Sequence, residues 1–560
     1  MPMRISRLFP IWILGLAALT VQAQKRYVSP IDFTVSLAGN FGEPRPNHFH
    51  CGLDFRTQGV IGKKIYSVAD GYIARATVGL DGFGNALYVN HPDGNTSVYC
   101  HLDRFLPDVT REVFARQCEK ESETVDVRFA PGQFPVKAGQ QIAVSGNTGA
   151  SAGPHLHLEL HRTADGALLN PMPYFRHLVR DQIAPKVHGI RIYPKPGEGA
   201  VSGSLNPVSF APGKEIRTFQ AWGKIGFAYW ADDYMTGTNN KFGIYKVSLR
   251  VDGQEVYASQ LDSLMPTDHR KINSWGDYEW YMRRHTWYLK GFADPGNDLA
   301  LLRVGEDRGW VTIDRMRTYE VEYRLTDEFG NTTTTRFRIQ GTPYEQLLAD
   351  AARDEADKRA EPYFLEWNRS HVVQLPGMEL RIPAGVLFHD VVLAPSVKPT
   401  PDKLSHKYHL HDSPLPLRVN VTLMLALSQP VAHPEKCYIE SSKGYVGGTY
   451  HGGWISASVR NLDEDYAIAQ DTVPPVIRSL GLVGGSQNRR FRLSCRDNQS
   501  GLRFLKGYID GRFVLFTGRD VRTCDLRQNG VRAENRQHTL TVVAEDRCGN
   551  VARDTIHFTY

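Results

Sequence analysis

The run Pro154-His155-Leu156-His157-Leu158-Glu159 alternates apolar and polar residues with a period of two, the pattern of a β-strand with one apolar face. Residues two apart share a face, so His155 and His157 present two imidazoles roughly 6–7 Å apart in one row. One ring can bind a metal ion while the other works beside it. The preceding stretch, Ser145-Gly146-Asn147-Thr148-Gly149-Ala150-Ser151-Ala152-Gly153, is small and glycine-rich, which lets backbone approach closely and leaves an open floor.

A chain of 560 residues is too long for one core and suggests roughly three or four domains. A net charge of +6 without a dense Lys/Arg run argues against a nucleic-acid binder. Arg4 and Arg7 precede an apolar run from Phe9 to Thr20 and then Val21-Gln22-Ala23, the pattern of a secretory signal peptide cut after Ala23. The run is short of the ~20 residues that span a bilayer. No cysteine stands at the cleavage point for a lipid anchor, so the mature chain is expected to be soluble outside the cytoplasm, with no stable membrane span. Seven cysteines are few for this length, and two of Cys495, Cys524 and Cys548 are close enough in sequence to pair. Cys51 and Cys100 each adjoin a candidate site histidine; strand alternation turns them to the opposite face, as packing residues or a disulfide.

From residue 24 to about 180, short β-rich runs with Gly and Pro punctuation indicate a compact, mostly antiparallel β domain. Residues 65–74 read as two strands around a turn at Asp70-Gly71, and 86–101 as a hairpin turning at Pro92-Asp93-Gly94 and ending at His101. The other candidate partner is His50-Cys51-Gly52-Leu53-Asp54. Residues four apart in a straight strand lie roughly 13 Å from each other, so the chain must bend for both to reach one ion, and Gly52 is where it can. A histidine, an aspartate and the later His-Leu-His supply the nitrogen and oxygen donors that a catalytic zinc uses.

These residues resemble the LytM/lysostaphin-type zinc metallopeptidases, whose signatures are H-x-x-x-D and a later H-x-H. The resemblance covers roughly residues 35 to 175 and includes Val68-Ala69-Asp70-Gly71, Gly82-Phe83-Gly84-Asn85, His91-Pro92-Asp93-Gly94, Tyr99-Cys100-His101-Leu102, Val136-Lys137-Ala138-Gly139-Gln140 and Gly146-Asn147-Thr148-Gly149. It implies Zn2+ on His50, Asp54 and His157, with His155 as general base toward water and His101 holding that water or steadying the oxyanion. His48 lacks the four-residue step to Asp54, so His50 is the expected ligand. Some family members carry a tyrosine shortly before the first ligand; Asn40 to Phe49 contains none. Between Leu102 and Val136 (103–135) lies an insertion with an expected amphipathic helix around Val109 to Lys120, by default a surface decoration that can also flank a cleft.

Farther on, residues 181–341 and 471–560 read as two copies of one immunoglobulin-like β-sandwich. They open on Asp181-Gln182-Ile183-Ala184-Pro185 and Asp471-Thr472-Val473-Pro474-Pro475 and close on Asp327-Glu328-Phe329-Gly330-Asn331 and Asp546-Arg547-Cys548-Gly549-Asn550. Asp232-Asp233 and Asp497-Asn498 suit calcium, and suit turns better. Between the copies come a helix over 342–361, with a capping box from Thr342 to Glu345, and a β-rich module over 362–470. The charged run Arg353 to Glu361 reads as a solvated helix face. His409-Leu410-His411 in that module repeats His-x-His without the glycine-proline lead-in or the following Glu, and reads as a decoy.

The expectation is therefore a mainly β chain: signal peptide 1–23, an antiparallel β-sheet peptidase domain 24–180, and β-sandwich modules joined by one helix. The resemblance implies an exported zinc metalloendopeptidase, periplasmic or at the cell surface, cutting a peptidoglycan peptide. The C-terminal modules offer surfaces for a protein partner. A non-catalytic wall-binding or amidase-regulating protein on the same fold is the principal rival, followed by a peptidase with a protein substrate and an adhesion protein with a vestigial peptidase.

Overall fold

The computed structural model describes residues 26–485 and 489–560, so the expected signal peptide lies outside the described residues. The chain is mainly β. The run that opened the sequence reading is the strand His155–Arg162, at the centre of the N-terminal sheet. Gly52–Arg56 and Asn95–Cys100 flank it, both antiparallel. Outward from Asn95–Cys100 follow Ala86–Asn90, Gly71–Val78 and Val125–Arg128; Leu37–Gly39 edges the other side. Leu156, Leu158 and Leu160 meet Leu53, Phe55 and Tyr99 in the core, which leaves His155, His157 and Glu159 on the opposite face.

The hairpin forms as Ala86–Asn90 and Asn95–Cys100, with Gly94 at φ +86° and Asp93 Oδ1 accepting from the Asn95 amide. Residues 64–78 also give two strands, Lys64–Tyr66 and Gly71–Val78, but these do not pair with each other. Lys64–Tyr66 joins Gln141–Ser145 in a small second sheet, because the Ser67 amide and carbonyl bond to Gln140 and Gly139. The helix in the insertion spans Pro107–Lys120, starts on proline and buries Val109, Val113 and Gln117. Glu121 ends it in the left-handed region at φ +47°.

Downstream, a ten-stranded sheet is built around the long strands Lys186–Val201 and Thr218–Asp232. Two five-stranded sheets follow within residues 371–470, then a three- and a four-stranded sheet within 476–559. The expected capping box at Thr342 does not form. The strand Thr332–Gly341 runs up to it and the Thr342 amide bonds Ala221, so the helix starts later, at Glu345, and ends at Lys358. It lies on Lys186–Val201 through Ala351, and residues 353–360 face solvent apart from half-buried Glu355.

All seven cysteines are free thiols. Cys524 pairs with Phe491 while Cys495, four residues farther along the same strand, pairs with Ile477. That offset, roughly 13 Å along a strand, is beyond disulfide reach.

The N-terminal domain is held at two places. On one side Asn40 exchanges two side-chain hydrogen bonds with the Gly243 backbone, Asn170 donates to Leu261 and Glu328, and Leu168–Leu169 pairs with Ser263–Leu264. On the other, the insertion carries the final module rather than merely decorating the surface. Glu121 accepts from Lys506 and Tyr508, Asp81 pairs with Arg519, and Glu123 accepts from the Gly518 amide and Arg522 at 3.0 and 2.6 Å. Burial pushes the Glu123 carboxyl up despite this pairing. Arg522→Ala leaves that charge buried without its partner, so it should weaken docking by about 3 kcal/mol, at the lower end for a broken buried pair. Small-angle scattering and protease cleavage between the modules, compared with the unmodified chain, check this.

Candidate metal centre and active site

His157 stands opposite Asp54 on one neighbouring strand and opposite Cys100 on the other. Asp54 and His157 therefore project to the same side of the sheet. His50 lies just before the strand Gly52–Arg56 and is tied in by its backbone, which exchanges bonds with Gly42 and Glu43. The bend is thus at His50-Cys51, and Gly52 answers a different need. A Cβ there would stand 2.5 Å from the Leu158 carbonyl oxygen and 2.9 Å from the His157 ring, so only glycine lets the two strands close up.

Three donor atoms converge. His50 Nε2 is 3.0 Å from Asp54 Oδ1 and 2.9 Å from His157 Nδ1, and His157 Nδ1 is 2.8 Å from Asp54 Oδ1. The far side of each ring is fixed: His50 Nδ1–H donates to the Asn40 carbonyl at 2.6 Å and His157 Nε2–H donates to Glu159 at 2.9 Å. Both remaining lone pairs consequently face Asp54. Two ring nitrogens, each oriented from behind, and one carboxylate oxygen form a donor set that fits zinc.

Burial raises Asp54, but the charge and hydrogen bonds of His50, His155 and His157 hold it well below the usual carboxylate range. Burial likewise opposes protonation of His157, and its bonds to Asp54 and Glu159 outweigh that, up to about 9. Glu159 is itself fully enclosed. Burial drives it up, and the bonds from His157 and His161 bring it down to about 2.

His155 directs Nε2 to 3.5 Å from Asp54 Oδ1, while its Nδ1–H donates to the Gly153 carbonyl at 2.8 Å beside Ser151 Oγ. The His101 ring centre is 4.8 Å from that of His155, and its Nδ1–H donates to the Thr148 carbonyl at 2.9 Å. His101 has φ +61°, an unusual conformation for a residue with a Cβ. Burial first, then the neighbouring His157 and His155 rings, pull it down to about 4, so it is neutral near pH 7 and its Nε2 only accepts.

That left-handed turn also changes the geometry expected for Cys100. Alternation fails between 100 and 101, so Cys100 shares the face of His157; it is fully buried against Ala86 and Val98 as a packing residue. Cys51 packs in the core of the next module. His48 is exposed, bonded to the Pro46 carbonyl, and takes no part. His409 is engaged with Asp465 at 2.9 Å, and neither it nor His411 joins a metal-type group among the described residues.

Among the site's neighbours Glu43 and Arg45 carry no sequence signal of their own, while Phe83 belongs to the Gly82-Phe83-Gly84-Asn85 stretch. Phe83 stacks on His157 with ring centres 6.0 Å apart, half-buried Glu43 accepts from the Asn40 amide, and the Arg45 guanidinium reaches to 3.6 Å from Asp54 Oδ2. Glu159 and His161, two and four residues beyond His157, extend the polar row and are legible from that spacing.

Residues 48–118 match the model of peptidase family M23, and residues 362–471 match that of a Zu5-like domain. The chain is 31% identical over 158 residues to an uncharacterized metalloprotease of Haemophilus influenzae, covering 28% of this chain and 27% of that protein. It is 34% identical over 123 residues to the murein hydrolase activator NlpD of Escherichia coli, covering 22% and 25%. With lipoprotein NlpD of Yersinia enterocolitica it shares 33% identity over 113 residues, 20% of this chain and 90% of that one. The match thus spans about a quarter of the length of the first two relatives.

Glu159 orients His157 from behind, so Glu159→Gln should keep the fold and weaken zinc binding about 10–100-fold, as loss of such a partner does elsewhere. Competition with a chromophoric chelator measures this.

Proposed function

The chain belongs to peptidase family M23, and on that premise we propose that it is an exported zinc metalloendopeptidase, periplasmic or at the cell surface, that hydrolyses peptide bonds of peptidoglycan stems or cross-links. One observation carries the reading: the convergence of His50, Asp54 and His157, with the acceptor nitrogen of His155 on its open side. The three would hold zinc, which when bound supplies Lewis acidity, bringing water to a pKa near 7 and polarising a carbonyl.

The division of labour follows from the ring tautomers. His155, anchored through Nδ1–H on Gly153, presents Nε2 as the base that takes a proton from the attacking water. The same nitrogen then returns the proton to the departing amide nitrogen. His101, neutral and anchored on Thr148, accepts a hydrogen bond from that water and sets its orientation. Of the two roles open to His101 from sequence, its acceptor Nε2 supports holding water over stabilising an oxyanion, which needs a donor. The glycine-rich approach, Ser145 to Gly153, supplies both the His155 anchor and the His101 anchor, and so couples loop conformation to the state of both rings.

The relatives carry both a metalloprotease and an activator in their names, so the decisive comparison separates catalysis from binding. Purified chain and His155→Ala should each retain about one zinc, since His155 is outside the donor triangle. Digestion of purified peptidoglycan should release new peptide ends with the unmodified chain and fall about 10²–10⁴-fold in the variant. Equal release by both proteins, or a chain that binds no zinc after metal supplementation, would overturn the proposal.

A further inference from the structure

Outside the peptidase site, the module over residues 181–341 brings together three carboxylates that are far apart in sequence. Asp181 opens the module, Asp233 follows the strand Thr218–Asp232, and Asp327 ends the strand Thr318–Thr326. One oxygen of each lies within 4.8 Å of the others, and the residues are 8, 1 and 2% exposed. Most of their hydrogen-bonding capacity goes to amides behind them: Asp181 Oδ1 accepts from Ile183 and Thr236, and Asp327 Oδ1 from Phe329 and Asn331. Asp181 Oδ2 and Asp233 Oδ1, both sealed from solvent, have no hydrogen-bond partner among the described residues.

A buried, unpaired carboxylate oxygen is costly, and three crowded together repel. Burial and then the charge of Asp327 push the Asp233 carboxyl up to about 8. The neighbouring Asp232 does not relieve this, since it turns away to His188 and Lys241. A small cation would balance this charge.

We infer that Asp181, Asp233 and Asp327 form a calcium site, separate from the proposed zinc centre, at the joint between the peptidase domain and the module over residues 181–341. All donors are oxygens, the preference of a hard cation over zinc. Calcium accepts several carboxylates in flexible geometry, whereas magnesium keeps much of its water and suits a site with one or two. The location gives the ion a structural task. Asp181 begins where the peptidase domain ends, Met235 and Phe242 near Asp233 pack into the peptidase core, and Glu328 beside Asp327 bonds Asn170.

The final module repeats the design residue by residue. Asp471, Asp497 and Asp546 converge in the same way. Asp471 accepts from Val473 and Ser500 as Asp181 does from Ile183 and Thr236, Asp546 accepts from Cys548 and Asn550 as Asp327 does from Phe329 and Asn331, and Asp497 Oδ1 is sealed without a partner. In each copy the second aspartate is three residues before the Thr or Ser that caps the first. This second site also lies at a joint, where the Asp471 amide bonds Lys436 and the Lys436 ammonium meets Asn550. The inference therefore extends to it.

The test is calcium bound to the full chain at equilibrium, with zinc measured alongside. The unmodified chain should bind two calcium ions with Kd on the order of 10⁻³ M or tighter, the range of extracellular modules. Asp233→Asn and Asp497→Asn should each bind one and the double variant none, with zinc unchanged. The near-isosteric change also removes a repelling charge. Without calcium each variant should therefore unfold at or above the temperature of the unmodified chain, and in saturating calcium below it. Calcium stoichiometry unaffected by Asp233→Asn, no calcium uptake by the unmodified chain, or a variant less stable in both conditions would overturn the inference.

Discussion

Glu159 is the group on which the N-terminal site depends. It is fully enclosed, yet it stays ionised because His157 and His161 both direct N–H groups at it. The cost of that buried charge is offset only while the two rings are in place. In return Glu159 fixes the ring of His157, whose other nitrogen must then point into the donor triangle. The same logic is repeated with main-chain carbonyls: Asn40 for His50, Gly153 for His155, Thr148 for His101. Every imidazole at the site is oriented from behind, so its reactive nitrogen is set by the fold before any ligand arrives.

This dependence explains what could be read from the sequence. The two-residue period of His155 to Glu159 specifies a strand and one polar face, and the four-residue step from His50 to Asp54 separates His50 from His48. The orientation of the rings is not local information. It comes from carbonyls 10 and 47 residues away for His50 and His101, and from a left-handed residue at 101 that alternation alone assigns wrongly, together with the facing of Cys100. The capping pattern at Thr342 failed for a similar reason: a strand already claimed the threonine amide through Ala221. Local signals hold where no distant partner competes for the same backbone group.

The aspartates make the same point. Asp233 and Asp497 are legible in sequence as acidic residues near turns, and a turn accounts for one oxygen of Asp497, Oδ2, which caps the Gln499 and Gly501 amides. Asp233 sits at the end of a strand in a bridge to Phe242, so turn preference does not account for it. Its partners are 52 and 94 residues away by count from Asp181 and to Asp327, and only the paired sheets bring them together. The repeat supplied the correspondence between the modules; it could not supply convergence.

Donor chemistry keeps the two kinds of proposed metal site apart within one chain. The N-terminal site offers two imidazole nitrogens whose lone pairs are already aimed, a set that binds calcium poorly and zinc well. The aspartate clusters offer only carboxylate oxygens, which suits a larger, harder ion and gives zinc no nitrogen or sulfur to favour it. Their positions differ correspondingly. The nitrogen site is bordered by the loop Ser145–Gly153, which anchors His155 and His101, whereas each oxygen cluster lies where one module passes to the next. The first can exchange ligands as chemistry requires; the others serve only if they do not. A chain whose last module returns to the insertion of its first, through Arg522 and Glu123, gains from such fixed joints, because each flexible link would otherwise multiply the arrangements that the returning contact must overcome.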